Sequence, residues 1–175
     1  MKKNINFYYG ILYYILFVKG YNILCDLVTS LLLILKANNN TSITEIVAAD
    51  KNLSTLLRGV KAADMETELS QNGPFTVFAP SESAFGKLPQ GELPFLLKAE
   101  NKIILKALLG SHIVPGKSVF SDFRDGQKLT TISGRELQVK VTNGNVWING
   151  SAILGRDLDA SNGVIHSLDS VIPVD

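Results

Sequence analysis

Ser111 stands directly before His112, and the chain has aspartates to spare, which is the raw material for a nucleophile, a base and an orienting acid. The spacing works against that chemistry. His112-Ile113-Val114 reads as the start of a strand, and neighbouring residues on a strand face opposite sides, so Ser111 and His112 cannot share a proton. The second histidine, His166, stands like His112 inside an apolar run, where a buried imidazole stays neutral and donates to a backbone carbonyl. Two histidines and one cysteine, Cys25, exclude a Cys/His metal cluster and an internal disulfide. There is no Gly-rich phosphate loop and no paired-carboxylate arrangement, and Gly86, Gly91 and Gly110 fall at helix ends and turns. The residues imply no enzyme, no metal and no cofactor.

What chemistry remains is that of binding. Trp147, the only tryptophan, is out of phase with Val146 and Ile148. It therefore points toward solvent or is partly buried, and beside Asn143 and Asn149 an exposed indole is placed to stack on a sugar ring. Seventeen basic and sixteen acidic side chains leave a net charge of +1. No global field draws the protein onto nucleic acid or an acidic surface, which argues against polyanions as partners.

The elements that would position these residues begin after residue 42. All five tyrosines lie in the first 21 residues, which marks a different kind of segment. Lys2 and Lys3 precede an uncharged run over residues 5–18, the basic and then apolar order of an export signal. A second apolar run over residues 23–35 is interrupted by Asp26, and no small-x-small cleavage triplet follows the first. Residues 1–35 therefore read as an export signal or a membrane anchor, with cleavage, lipidation of Cys25, a start codon placed upstream of the true signal, and a buried core helix as open alternatives. Residues 36–42, with three successive asparagines, read as a linker.

From Ile43 the apolar residues Ile46, Val47, Leu53, Leu56, Leu57 and Val60 follow a helical period that Asp50 or Asn52 could divide. Phe75-Thr76-Val77-Phe78 is a short buried strand bounded by Pro80, and Ser81 is placed to cap a helix through Phe85. Residues 93–109 are helical again, with Gly110 ending the run. Beyond Pro115-Gly116 the period becomes two. Leu137, Val139 and Val141 lead through the Asn143-Gly144 turn to Val146 and Ile148, a hairpin. Turns at Asn149-Gly150 and Asn162-Gly163 separate strands over 152–158 and 164–174. Helices followed by a strand meander make the fold α+β, dominated by β.

The run Gly73-Pro74-Phe75-Thr76-Val77-Phe78-Ala79-Pro80-Ser81, with Ala84-Phe85, resembles the first conserved motif of fasciclin (FAS1) domains. Asn162-Gly163-Val164-Ile165-His166, with Leu168-Asp169 and Val171-Ile172, resembles the second. Between them, residues 111–116 resemble the family's tyrosine–histidine segment, and the likeness runs over residues 43–174. It implies a domain at residues 43–175 built as a folded, wedge-like meander of about seven strands, with short helices from the N-terminal half. It makes Thr76, Phe78, Pro80, Asn162, Gly163 and His166 chiefly structural. Pro80 stops the first strand for want of an N–H, and Gly163 suits a turn with positive φ.

The resemblance also implies a bacterial-type, extracytoplasmic, secreted or membrane-anchored adhesion module that binds matrix, polysaccharide or protein. In animal members adhesion is attributed to the tyrosine–histidine segment and to an aspartate–isoleucine pair. Here Ser111 takes the tyrosine's place, and Asp157-Leu158 occupies the second position. Candidate binding residues are therefore His112, Asp157, Leu158 and Trp147. Two other functions stay open, a carrier of a small lipophilic ligand and a passive spacer at the cell surface.

Overall fold

A computed structural model describes residues 41–71 and 73–173. The readings of residues 1–35, of most of the linker and of Cys25 lie outside these residues. Thr41 and Ser42, read as linker, already belong to the folded unit. The Thr41 carbonyl accepts from Ser161 N–H, and Ser42 forms a capping box with Glu45 at the start of helix α1 (Ile43–Ala49).

Asp50 divides the first helical stripe. Its N–H closes α1 on the Ile46 carbonyl, while its carboxylate accepts from Asn52 N–H and starts a 3₁₀ turn at Lys51–Leu53. Helix α2 (Ser54–Ala62) follows, then α3 (Glu66–Gln71). Ile43, Val47, Leu53, Leu56 and Val60 are buried in one cluster, with Ile46 and Leu57 half-buried against it. Strand β1 (Phe75–Pro80) enters α4 (Glu82–Phe85), and Ser81 Oγ accepts from Ala84 N–H as the cap.

The long helix expected over residues 93–109 is instead three pieces: α5 (Glu92–Leu96), a 3₁₀ turn (Ala99–Asn101) and α6 (Lys102–Gly110). The break has a local cause. Lys98 is extended, and the Asn101 side-chain amide turns back to donate to the Phe95 carbonyl at 2.7 Å, satisfying a group the helix would otherwise use. Ile103 and Ile104, counted toward the core by their apolar character, are 84% and 48% exposed.

The strands are β2 (Ile113–Pro115), β3 (Lys128–Thr130), β4 (Glu136–Thr142), β5 (Asn145–Ile148), β6 (Ser151–Ala160) and β7 (Gly163–Leu168). They form one seven-stranded sheet in the order β2-β1-β7-β6-β5-β4-β3. From β3 to β7 the chain is an antiparallel meander, as the turns predict. The exception to helices first and strands after is β1, which pairs antiparallel with β2 and parallel with β7. The two sequence motifs thus lie side by side in register, Thr76 opposite Val164 and Phe78 opposite His166.

Because β1 and β7 are covered on both faces, their side chains feed two cores. Val77, Ala79 and Ile165 pack toward the helices, while Phe78 and Leu168 join Val114, Phe123, Leu137, Val139, Val146 and Ile148. The hairpin turns through Asn143 (φ 51°) and Gly144 (φ 76°), the geometry that an Asn-Gly pair favours. β7 stops at Leu168 rather than running on to 174. Asp169 exchanges backbone and side-chain bonds with Ala152 and pairs with Lys87, which turns the chain away from the ladder.

Candidate functional site

Ser111 and His112 do not lie on a strand. Ser111 is the helical cap of α6, its Oγ donating to the Ala107 carbonyl at 2.9 Å and lying 3.1 Å from Ser133 Oγ. His112 is 2% exposed. Its Nδ1 sits 2.8 Å from the Leu108 carbonyl, and its Nε2 lies 3.0 Å from Ile172 N–H. A backbone donor on Nε2 and a carbonyl on Nδ1 require the neutral Nδ1–H tautomer. Burial pushes its pKa down to about 4, with the Leu108 carbonyl opposing. The imidazole is a tie between α6 and the C-terminal segment, so His112 is not a surface group of this fold. The same ties take the nucleophile–base pairing away from Ser111 and His112.

His166 is built in the mirror tautomer. Nε2 donates to the Ser118 carbonyl at 2.9 Å, and Nδ1 accepts from Asp157 N–H at 3.3 Å. Its ring packs with Phe78 and Phe123, centroids 5.9 and 5.4 Å away. Burial lowers its pKa, while the Ser118 carbonyl and the negative charge of Asp157 pull the other way. Thr76 holds the same loop from the other side, donating to the Gly116 carbonyl at 2.7 Å and accepting from Ser118 N–H at 2.9 Å.

Above these groups β6 carries two register shifts, and Asp157 adopts φ 55° at the second. A bulge with a left-handed residue is a way of re-aiming side chains away from the ladder. Asp157 Oδ1 accepts from Phe120 N–H at 2.7 Å, Lys117 pairs with Asp159, and the Arg156 guanidinium lies 4.4 Å over the Phe120 ring. Asp157 and Leu158 are exposed on this turn, Leu158 at 39%. The turn and the loop over residues 116–122 form one outward surface whose underside is fixed by Thr76 and His166.

The remaining motif residues are internal ties. Asn162 Oδ1 accepts from Ile43 N–H, its amide donates to the Leu69 carbonyl, and its backbone carbonyl accepts from Phe75 N–H, joining α1, α3 and β1. Gly163 has the expected positive φ (158°), a backbone conformation that residues with a Cβ rarely adopt. Space demands glycine as well, because a Cβ there would collide with the Phe75 carbonyl and approach Ile43. Pro80 closes β1, pairing opposite Leu168.

Trp147 is half-buried on the outer face of β5, with Lys140 and Ala152 as its cross-strand neighbours. Sequence reasoning missed Leu154, 64% exposed on β6, and the Arg156–Phe120 stack. It also missed Glu82, whose carboxylate accepts from Ser54 Oγ, Thr55 Oγ1 and Thr55 N–H and so caps α2 from 27 residues away. The first two depend on strand irregularity. The third follows from an acidic residue after a capping serine, a signal that names no distant partner. Among the described residues no group of three His, Cys, Asp or Glu side chains is placed to hold a metal.

The Fasciclin domain family model matches residues 51–174. The chain belongs to this family. "Protein sll1483" of Synechocystis sp. is 44% identical over 131 residues, covering 75% of this chain and 72% of its own. Human periostin is 29% identical over 133 residues, 75% of this chain and 16% of its own. The fold is shared with the FAS1 domain pair of the insect cell adhesion molecule Fasciclin I, at TM-score 0.69 and 18% identity, over 77% of this chain and 51% of that one.

In this fasciclin domain the two motifs form the parallel pair of the sheet, β1 with β7. Their polar residues Thr76, Asn162 and His166 spend their hydrogen bonds on loops and helices. What the motifs present to solvent is indirect, the surface of loop 116–122 and the Asp157 turn.

Proposed function

We propose that the chain is an exported, non-catalytic adhesion module whose contact surface is the Asp157–Leu158 turn together with loop 116–122. The observation that supports this is the rigid presentation of an exposed leucine and a bonded aspartate by a bulge tied to the buried His166. Such a turn offers an apolar contact with little ordering entropy lost on binding. Membership of a family that includes a cell adhesion molecule supports adhesion as the class of function. Export rests on the order of basic and apolar residues at the N-terminus. The partner belongs to the matrix or the cell surface.

The test uses beads coated with the full-length protein in mild detergent and challenged with cells of the source organism. Wild-type beads adhere, and Leu158→Asp lowers adhesion at least fivefold with an unchanged circular-dichroism spectrum. Adhesion no better than that of uncoated beads sinks the reading and leaves the passive spacer.

A lipophilic carrier is favoured by a different observation. An open groove of about 490 Å³ is walled largely by Leu88, Phe95, Leu96, Ile104, Leu108 and Ile172, and Phe95 and Ile104 are each 48% exposed. The narrow apolar cavity between the helices and β1, about 20 Å³, holds nothing larger than a water molecule. Native mass spectrometry of the protein purified from its source shows an added lipophilic mass on this reading, and a bare mass argues against it.

A further inference from the structure

The outer face of the β4–β5 hairpin holds a second set of binding groups. Lys140, Thr142, Trp147 and Gly150 line an open recess of about 300 Å³, at the low end of the size of small-ligand sites. Lys140 lies directly across from Trp147, and Thr142 shares that face one pair further along. Gly150, at φ 87° in the turn that follows β5, has open space where a Cβ would stand. The floor of the recess is thus an indole edged by a hydroxyl and an ammonium.

The cation is the informative group. Lys128, on the same face of the adjacent strand β3, pairs with Glu136 at 2.8 Å. Lys61, Lys87, Lys98, Lys102, Lys106 and Lys117 also have carboxylate partners. Lys140, like Lys51 in the first 3₁₀ turn, has none among the described residues, so its charge is available to a ligand beside the one tryptophan of the chain. Aromatic faces accept the apolar face of a sugar ring, and a lone ammonium supplies one point charge.

We propose that this recess binds a polysaccharide at a uronic acid, the ring stacked on Trp147, its carboxylate against Lys140 and a hydroxyl on Thr142. One unpaired cation matches one carboxylate. With a net charge of only +1, the chain lacks the field that a densely sulfated or phosphorylated polymer would need. The site lies beyond the Asp157–Leu158 reading and does not depend on it.

Trp147 is its own reporter, because excitation at the indole edge sees no other residue of the chain. Full-length protein in mild detergent is titrated with aldotetraouronic acid, which is xylotriose carrying one glucuronic acid, and in parallel with neutral xylotetraose. The acidic sugar produces a saturable fluorescence change at concentrations at least fivefold lower than the neutral one. Lys140→Ala removes that difference, while its melting temperature stays that of the wild type. No saturable change with either sugar overturns the proposal. So does equal affinity for the two sugars in the wild type, or an acidic preference that survives in Lys140→Ala.

Discussion

Nδ1 of the buried His166 accepts a hydrogen bond from the backbone N–H of Asp157, whose own side chain is exposed. A residue of the second motif thereby sets the backbone of a surface turn. The same ring donates to the Ser118 carbonyl, so both halves of the proposed contact surface hang on one imidazole.

Replacing that ring tests the arrangement. His166→Phe keeps an aromatic against Phe78 and Phe123 but leaves the Ser118 carbonyl and the Asp157 N–H without partners. A fully buried orphan group costs about 1–3 kcal/mol, and with both groups only partly buried the loss is roughly 2 kcal/mol. Chemical denaturation should show it, and amide exchange at Asp157 should quicken more than exchange in the β4–β5 hairpin. His166→Gln, which keeps a donor and an acceptor, recovers part of both.

Much of this was legible from residue types. The hairpin at Asn143-Gly144, the strand at Phe75, the Ser81 cap and the division of the first helix at Asp50 are local, and each is written in a few adjacent residues. The interruption between α5 and α6 was not, because it depends on Asn101 reaching six residues back. The parallel pairing of β1 with β7 spans nearly ninety residues, a distance over which periodicity and turn chemistry carry no information. Of the candidate site residues, the exposure of Asp157 and Leu158 could not be derived from strand alternation, since two register shifts in β6 break that alternation. His112 was placed in an apolar run, and the burial that follows is what removes it from the surface.

Acid should weaken the domain from near neutrality. His112 has a folded pKa of about 4 against an ordinary 6.5. Between these values the unfolded chain takes up a proton that the folded one refuses, so stability rises with pH and is lost as pH falls from 6.5 toward 4. At about 1.4 kcal/mol per pH unit, the full loss from this residue is roughly 3 kcal/mol. His166, also held low by burial, adds to the slope in the same direction. Glu82 and Asp169 are held below the usual carboxylate range by hydrogen bonds that outweigh their desolvation, so they extend the loss at lower pH. Denaturation midpoints at pH 7.5, 6, 5 and 4 should fall steadily. In His112→Asn the fall between 6.5 and 4 should be shallower, even though the variant starts less stable.

Glu82 should matter to a helix it does not belong to. Its carboxylate satisfies the N–H of Thr55 and the hydroxyls of Ser54 and Thr55 at the start of α2, where Leu53 offers no capping side chain. Removing a helix N-cap interaction costs about 1–2 kcal/mol. Glu82→Ala should therefore lower stability by that amount, whereas Glu66→Ala, in the first turn of α3 and exposed, should change it by about 0.5 kcal/mol or less. Equal effects in thermal melts would show that Glu82 acts as surface charge only.

Two positive-φ glycines differ in what a Cβ would meet. At Gly150 (φ 87°) a Cβ meets nothing within 4 Å, so Gly150→Ala bears only the left-handed penalty of about 1–2 kcal/mol. At Gly163 (φ 158°) the backbone also disfavours a Cβ, and a Cβ would in addition enter the Phe75 carbonyl oxygen, which is fixed within the β1–β7 pairing. The carbonyl is backbone and cannot swing aside, so Gly163→Ala must part β1 from β7. The loss should exceed about 4 kcal/mol, the range kept for disrupted cores. Unfolding curves that rank Gly150→Ala below Gly163→Ala would contradict the packing argument, because conformational strain alone would then account for both.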